Sequence, residues 1–384
     1  MIGKLVIIHN IIAPYKVALF NELSKLIPDM EVIFIAEKEK RRDWIIDYSK
    51  INFRYTLLFK GSIDSLNSYS IAIKTWKALE KIKPEISIIC DYSNIFGWIS
   101  LLWAKINKNI LIFWLASTID DRKHFFPKEQ IKQYFLKHFH MHLSPGEKTK
   151  QYLEYMKVNS NKIITTGYGV DNNFYLNEYN KYKNNIFFKN NNNIHTNKNF
   201  LFVGRLSHEK NIISMLTAFK EVSKLDKDWG LIILGDGKHK NEIQTFIIDN
   251  NLEKQIYLAG FVQQKDVVRY YAISNVFVLP SISEPWGLVV NEAMLCHMPV
   301  LVSDRCGCVP ELVKDGINGF SFDPTDKAKL VLLMKGFVTS TYDIETMGKE
   351  SYQIVKRHSP DKIACVISNA INNFSLNNIF TMNN

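Results

Sequence analysis

Cysteine is scarce in this chain, with five in 384 residues, at Cys90, Cys296, Cys306, Cys308 and Cys365. Their spacing fits neither a disulfide framework nor a zinc site. Cys306 and Cys308 flank a single glycine, with no second pair and no matched histidines. No apolar run reaches the length of a membrane-spanning helix. The nearest, Ile99 to Leu115, is broken by Lys105, Asn107, Lys108 and Asn109. The first apolar run, Leu5–Ile8, follows a lone Lys4 and is too short for the core of an export signal. A cytoplasmic protein is therefore expected, peripheral at the inner face of a membrane if it meets one. Acid is in deficit, leaving a net charge of +10. Phosphorylated substrates, anionic lipid and nucleic acid could each account for that surplus. The lysines are scattered rather than clustered and only net charge favours nucleic acid, so none is expected as a partner.

What is present is a globular composition, 46% hydrophobic and 22% charged, in a chain long enough for two cores. Short apolar runs alternate with amphipathic stretches. Leu5–Ile8, Glu31–Ala36, Ile86–Cys90 and Ile110–Leu115 read as strands, with a helix over Val17–Leu26. Runs this short and this apolar, separated by helices, predict a parallel sheet buried on both faces. The pattern lapses from Asn172 to Lys198, an Asn- and Lys-rich stretch that reads as a linker or insertion. It then resumes with strands at Phe200–Val203, Leu231–Leu234, Ile256–Leu258, Val276–Leu279 and Val300–Val302, and a helix over Asn211–Val222. The expected fold class is α/β, two Rossmann-like doubly wound domains facing across a cleft. The expected boundaries are 1–171, a linker 172–198, a second domain 199–358, and a C-terminal helix and tail 359–384 turned back toward the first domain. Ser359-Pro360-Asp361 starts that last helix, which is expected to end near Ala370. Ligands of such sheets sit at the carboxyl ends of the strands.

Three segments after predicted strands carry chemistry. In Gly204-Arg205-Leu206-Ser207-His208-Glu209-Lys210-Asn211, the glycine permits a tight turn, Arg205 offers a planar fork of donors and Lys210 a compact charge. Together, at a helix N-terminus, they suit a diphosphate; a solvated loop with two surface cations is the alternative. Gly235-Asp236-Gly237 is a turn at a strand end and lacks the third glycine of a dinucleotide fingerprint. In Ser281-Ile282-Ser283-Glu284-Pro285-Trp286-Gly287-Leu288-Val289-Val290-Asn291-Glu292, proline marks a helix starting near Pro285 to Gly287. Glu284 then lies in the loop and Glu292 two turns into the helix, separated by roughly 12 Å or less. Two carboxylates at that spacing suit the hydroxyls of a sugar and a ribose. The alternative is a first-turn acid at Glu284 and a surface acid at Glu292.

These segments, with Ala259-Gly260-Phe261-Val262 and Gly316-Ile317-Asn318-Gly319-Phe320, resemble the signature of the retaining glycosyltransferases of the GT-B fold, family 4 (glycosyl transferases group 1). The resemblance covers the second domain nearly end to end. It implies that Arg205 and Lys210, with Gly204 and Gly235 beside them, hold a donor diphosphate. It further implies that Glu284 contacts the donor sugar, Glu292 its ribose, Phe261 and Val262 the base, and the amides of Gly287, Leu288 and Val289 the phosphates. The first domain matches less. Asn10-Ile11-Ile12-Ala13-Pro14-Tyr15-Lys16 resembles the opening of many bacterial members but lacks their paired glycines. No histidine stands in Trp114–Asp121 where many members place one, and His124 is the nearest. Tyr15, Ser117, Thr118 and Asp121 are the acceptor-contact candidates.

The implied reaction moves a glycosyl group from a nucleotide-diphosphate sugar to a saccharide or lipid-linked acceptor with retention, in cell-envelope polysaccharide or lipopolysaccharide synthesis. It needs no cofactor and no metal; Asp226-Lys227-Asp228 reads as a solvated turn. A non-catalytic nucleotide-sugar-binding module and a nucleotide-sugar epimerase remain as alternatives. The stretch from Phe125 to Phe139 mixes aromatics with Lys128, Lys132, Lys137 and His138. It suits either contact with an anionic membrane or a helix packed on its own sheet.

Overall fold

The structure is a computed structural model that describes residues 3–40, 44–121, 126–183 and 185–382. The chain forms two compact units. The first comprises residues 1–119, 123–170 and 359–384; the second comprises 120–122 and 171–358.

In the first unit seven strands form one sheet: β1 (Leu5–Ile11), β2 (Met30–Lys38), β3 (Arg54–Ser62), β4 (Ile86–Ile89), β5 (Ile110–Trp114), β6 (Met141–Ser144) and β7 (Ile163–Thr165). Their order is β3-β2-β1-β4-β5-β6-β7, and every pairing is parallel. Alternation along β1 divides the core between the two faces. Leu5 and Ile7 pack with Phe20 and Leu23 of the helix Pro14–Leu26 and with Ile363, Ile367 and Ile371 of the last helix. Val6 and Ile8 pack on the other face with Leu79, Phe96, Trp103 and Phe113. The strand order reverses between β1 and β4, a topological switch point.

In the second unit six parallel strands follow the same logic: β8 (Lys198–Val203), β9 (Trp229–Leu234), β10 (Ile256–Gly260), β11 (Val276–Leu279), β12 (Val300–Ser303) and β13 (Gly319–Phe322). Their order is β10-β9-β8-β11-β12-β13, with the switch point between β8 and β11.

Several expectations need revision. The stretch 172–198 is not a bare linker. It holds the helices Asn172–Tyr182 and Ile186–Asn191, capped by the side chains of Asp171 and Asn185, and it groups with the second unit. Tyr175 is the only residue of the first of these helices that is fully buried, so the apolar period that would betray it is missing. The last helix runs on to Met382, past Ala370. Of the aromatics in the Phe125–Phe139 stretch, Phe135 and Phe139 are buried in the sheet core while Tyr134 is exposed. Phe125 and His124 lie outside the described residues. Among the described residues no helix is long and apolar enough to cross a membrane.

Candidate active site

The carboxyl ends of β8, β9 and β10 are laced together by backbone. Gly204 N–H donates to Leu234 O (3.0 Å), Leu206 N–H to Asp236 O (2.9 Å) and Gly235 N–H to Gly260 O (2.8 Å). Gly235 has φ +145°, and a Cβ on it would stand 1.8 Å from the Gly204 carbonyl oxygen. Its role here is close backbone approach, which fixes where the Arg205 loop emerges. Phe261, half exposed, and Val262 follow directly on β10.

Across the switch point, the loop after β11 carries Glu284. Ile282 N–H donates to Glu209 O (2.9 Å), tying this loop to the one after β8. A third segment braces it from behind. Glu284 forms a parallel bridge with Cys306, Gly307 N–H donates to Glu284 O (2.9 Å), and Cys308 N–H to Trp286 O (3.1 Å). A Cβ on Gly307 would meet the Pro285 carbonyl at 1.9 Å, so only glycine lets the two segments lie this close. Trp286 is buried and its indole N–H donates to Asn291 Oδ1 (2.9 Å).

The consequence is a direct ion pair between Lys210 and Glu284, whose side chains are 12% and 17% exposed. Arg205 lies on the same loop as Lys210, is 49% exposed, and its guanidinium reaches Glu209 at 3.2 Å. The structure thus unites Lys210 and Glu284 at the switch point, with Arg205 beside them. Donors with a carboxylate among them at this end of a parallel sheet can hold a phosphorylated, hydroxyl-rich ligand.

Glu292 sits apart from these contacts. Gly287, at φ +96°, precedes the helix Leu288–Leu295, so Glu292 stands about one turn into that helix rather than two. It is no surface acid. The Tyr271 hydroxyl donates to it at 2.9 Å, and the Tyr175 hydroxyl bonds to it as well. Burial pushes its pKa up to about 7, against the pull of the two phenols. Sequence reasoning missed Tyr175, Tyr271 and the Cys306-Gly307-Cys308 brace. The glycine between two cysteines was the only local sign of that brace.

The acceptor candidates divide between the two units. Tyr15 packs edge-on against Trp44 (6.2 Å between ring centroids) and Tyr168 (5.6 Å). Ser117 and Thr118 follow β5 in the first unit, and Thr118 is buried; Asp121 groups with the second unit. A cavity of about 1370 Å³ in the second unit is lined by Tyr179, Lys183, His195, Asn275 and His297 among others. Asn197, Asn275 and His297 precede β8, β11 and β12, so it opens at the strands' amino ends, opposite to where such sheets bind ligands. Among the described residues no group of His, Cys, Asp and Glu could hold a metal ion.

Comparison with known proteins bears on this site. Residues 183–354 match the family model of the glycosyl transferases group 1. The 2-deoxystreptamine N-acetyl-D-glucosaminyltransferase of Niallia circulans is 27% identical over 183 residues, 46% of this chain and 45% of that protein. The alpha-monoglucosyldiacylglycerol synthase of Acholeplasma laidlawii is 32% identical over 127 residues, 33% of this chain and 32% of that protein. These alignments span less than half of each relative's length. Among solved structures, Anabaena HepE in complex with UDP superposes with a TM-score of 0.75 at 16% identity, covering 96% of this chain and 100% of that one. The sucrose-phosphate synthase of Thermosynechococcus elongatus does so with a TM-score of 0.76 at 15% identity, covering 97% and 99%. The chain has the GT-B fold, and residues 183–354, within its second unit, are similar to the glycosyl transferases group 1.

Proposed function

We propose that the protein is a glycosyltransferase. It takes a sugar from a nucleotide-diphosphate donor and passes it, with retention and without a resident metal, to a saccharide or lipid-linked acceptor of cell-envelope polysaccharide or lipopolysaccharide synthesis. The observation that carries this reading is the Lys210–Glu284 ion pair at the switch point, with Arg205 on the same loop. A diphosphate entering there would draw Lys210 and Arg205 onto its oxygens and release Glu284 to the sugar hydroxyls. The acceptor hydroxyl attacks the anomeric carbon from the side the diphosphate leaves, and a phosphate oxygen takes its proton. No protein nucleophile is needed; the two cations stabilise the charge growing on the leaving group.

Support comes from relatives named for glycosyl transfer and from a fold neighbour determined with UDP. Contact with an anionic membrane through the face bearing Lys128, Lys137, exposed Ile131 and exposed Tyr134 belongs to the same proposal. Flotation with anionic but not neutral liposomes tests that part.

The central test is a thermal-shift screen against nucleotide sugars, followed by transfer assays with the donor that stabilises most. Arg205→Ala and Lys210→Ala should each lower turnover by about 10²-fold or more. Loss of the exposed Arg205 should change the melting temperature little, while loss of Lys210 also lowers it because Glu284 is left without its partner. Undiminished transfer by both variants would sink the reading. Retention is checked by the product anomer in NMR, and metal independence by activity in excess chelator.

A further inference from the structure

Among the described residues, Lys16 is a charged side chain with nothing to neutralise it. It lies in the first turn of the helix Pro14–Leu26 and is only 4% exposed. Its Nζ stands 3.6 Å from the ring centroid of Trp114 and 4.8 Å from that of Tyr168, with Tyr15 and Phe20 each at 6.0 Å. No carboxylate pairs with it among the described residues. The titratable group that acts on it is the Cys90 thiol, whose own pKa is pushed up to about 12 by burial, so that thiol stays neutral and supplies no counter-ion. Burial likewise lowers the Lys16 pKa to about 8. The aromatic rings return part of the desolvation cost of an ammonium, not all of it.

Three further observations point the same way. The Trp114 indole N–H is buried with no acceptor among the described residues. The helix Pro14–Leu26 begins at Ala13, which has no side chain to cap it, and has no acid in its first turn. And the place is the carboxyl end of β1 and β5, beside the β1/β4 switch point, where parallel sheets bind their ligands. An ammonium and an indole N–H lie here with no acceptor among the described residues, beside a positive helix end. The Tyr15 ring, 6.0 Å from the ammonium, and the Trp44 ring edge-on to it are both half-buried.

We propose that Lys16 is the floor of an oxyanion-binding site in the first unit, which takes a carboxylate or phosphate carried on a sugar or polyol. That this ligand is the transfer acceptor rests on the reading above; that the site binds an oxyanion does not. Tyr15 and Trp44 offer faces to the ring that carries the anion.

The test titrates the full chain with three probes, followed by calorimetry: methyl glucuronide for a carboxylate, glycerol 3-phosphate for a phosphate, and methyl glucoside as the neutral control. One or both anionic probes should bind saturably and the neutral one should not; which anion binds identifies the source. Lys16→Met should weaken that binding about tenfold or more while melting at the same or a higher temperature, because an unpaired buried charge has gone. In the unmutated protein the bound probe should slow acylation of Lys16 by acetic anhydride, read by peptide mass spectrometry, and leave that of Lys25 unchanged. Failure of both anions to bind, binding by Lys16→Met at wild-type strength, or no protection of Lys16 would overturn the site. None of these readings uses a nucleotide sugar, so a loss of transfer chemistry would leave them standing.

Discussion

At Glu292 two effects compete. Burial favours the neutral acid, while hydrogen bonds from Tyr271 and Tyr175 favour the carboxylate, and burial prevails, setting the pKa near 7 against an ordinary 4.5. Between those values the folded protein holds a proton that the unfolded chain has released. Stability therefore falls as pH rises from about 4.5 and levels off above about 7, by roughly 3 kcal/mol in all. Glu292→Gln keeps an acceptor for both tyrosines and has no charge to bury. It should melt a few degrees above the wild type at pH 8 and no higher than it at pH 5. Melting curves at the two pH values decide this; equal pH dependence in the two proteins would show that the acid is solvated. Lys210 poses the opposite case, a charge whose partner is in place. Lys210→Met leaves Glu284 largely buried and alone, at a cost of about 1–3 kcal/mol. Adding Glu284→Gln should recover part of that cost in denaturant unfolding, yet restore no transfer.

At the scale of elements, the Glu284 loop owes its shape to its neighbour. Gly307 lets the Cys306–Cys308 segment lie against Pro285 and Trp286. Gly307→Ala should push the loop off its brace, cost about 1–3 kcal/mol, and lower donor affinity more than a distant substitution of equal cost. Isothermal titration with the best donor, set beside the unfolding free energy, checks the two together. The same scale shows what the sequence discloses. Strands buried on both faces, such as Leu5–Ile11 and Trp229–Leu234, announce themselves as apolar runs. Arg54–Ser62 is half exposed along its whole length at the sheet edge, and Met141–Ser144 and Ile163–Thr165 are too short to show a period. In the site, Arg205, Lys210 and Glu284 could be named because turn residues and charges cluster after strands. The setting of Glu292 could not, because its tyrosines arrive from the helices Asn172–Tyr182 and Gln264–Ala272, distant in the chain. Lys16 was hidden for a similar reason: its cage draws on Trp114 and Tyr168, far from it in sequence.

For the molecule as a whole, the chain leaves the first unit at Val170 and returns to it at Ser359, so the first unit depends on a helix made last. That helix sets Ile363, Ala364, Ile367 and Ile371 into the same core face as Leu19, Phe20 and Leu23. Three isoleucines removed from that face forfeit burial on the order of 5 kcal/mol, comparable to the whole stability of a domain. The second unit has its own sheet, and residues 171–358 of it are continuous in the chain. Ending the chain after His358 should therefore unfold the first unit selectively. Calorimetry of the truncated protein should show the loss of one transition, and the remaining transition should still rise in temperature with the donor nucleotide. Hydrogen exchange should find β1, β2 and β4 unprotected while β8, β9 and β11 keep their protection. If both sheets lost protection together, the two units would be one cooperative body. If neither did, the last helix would be an accessory to the first core rather than part of it.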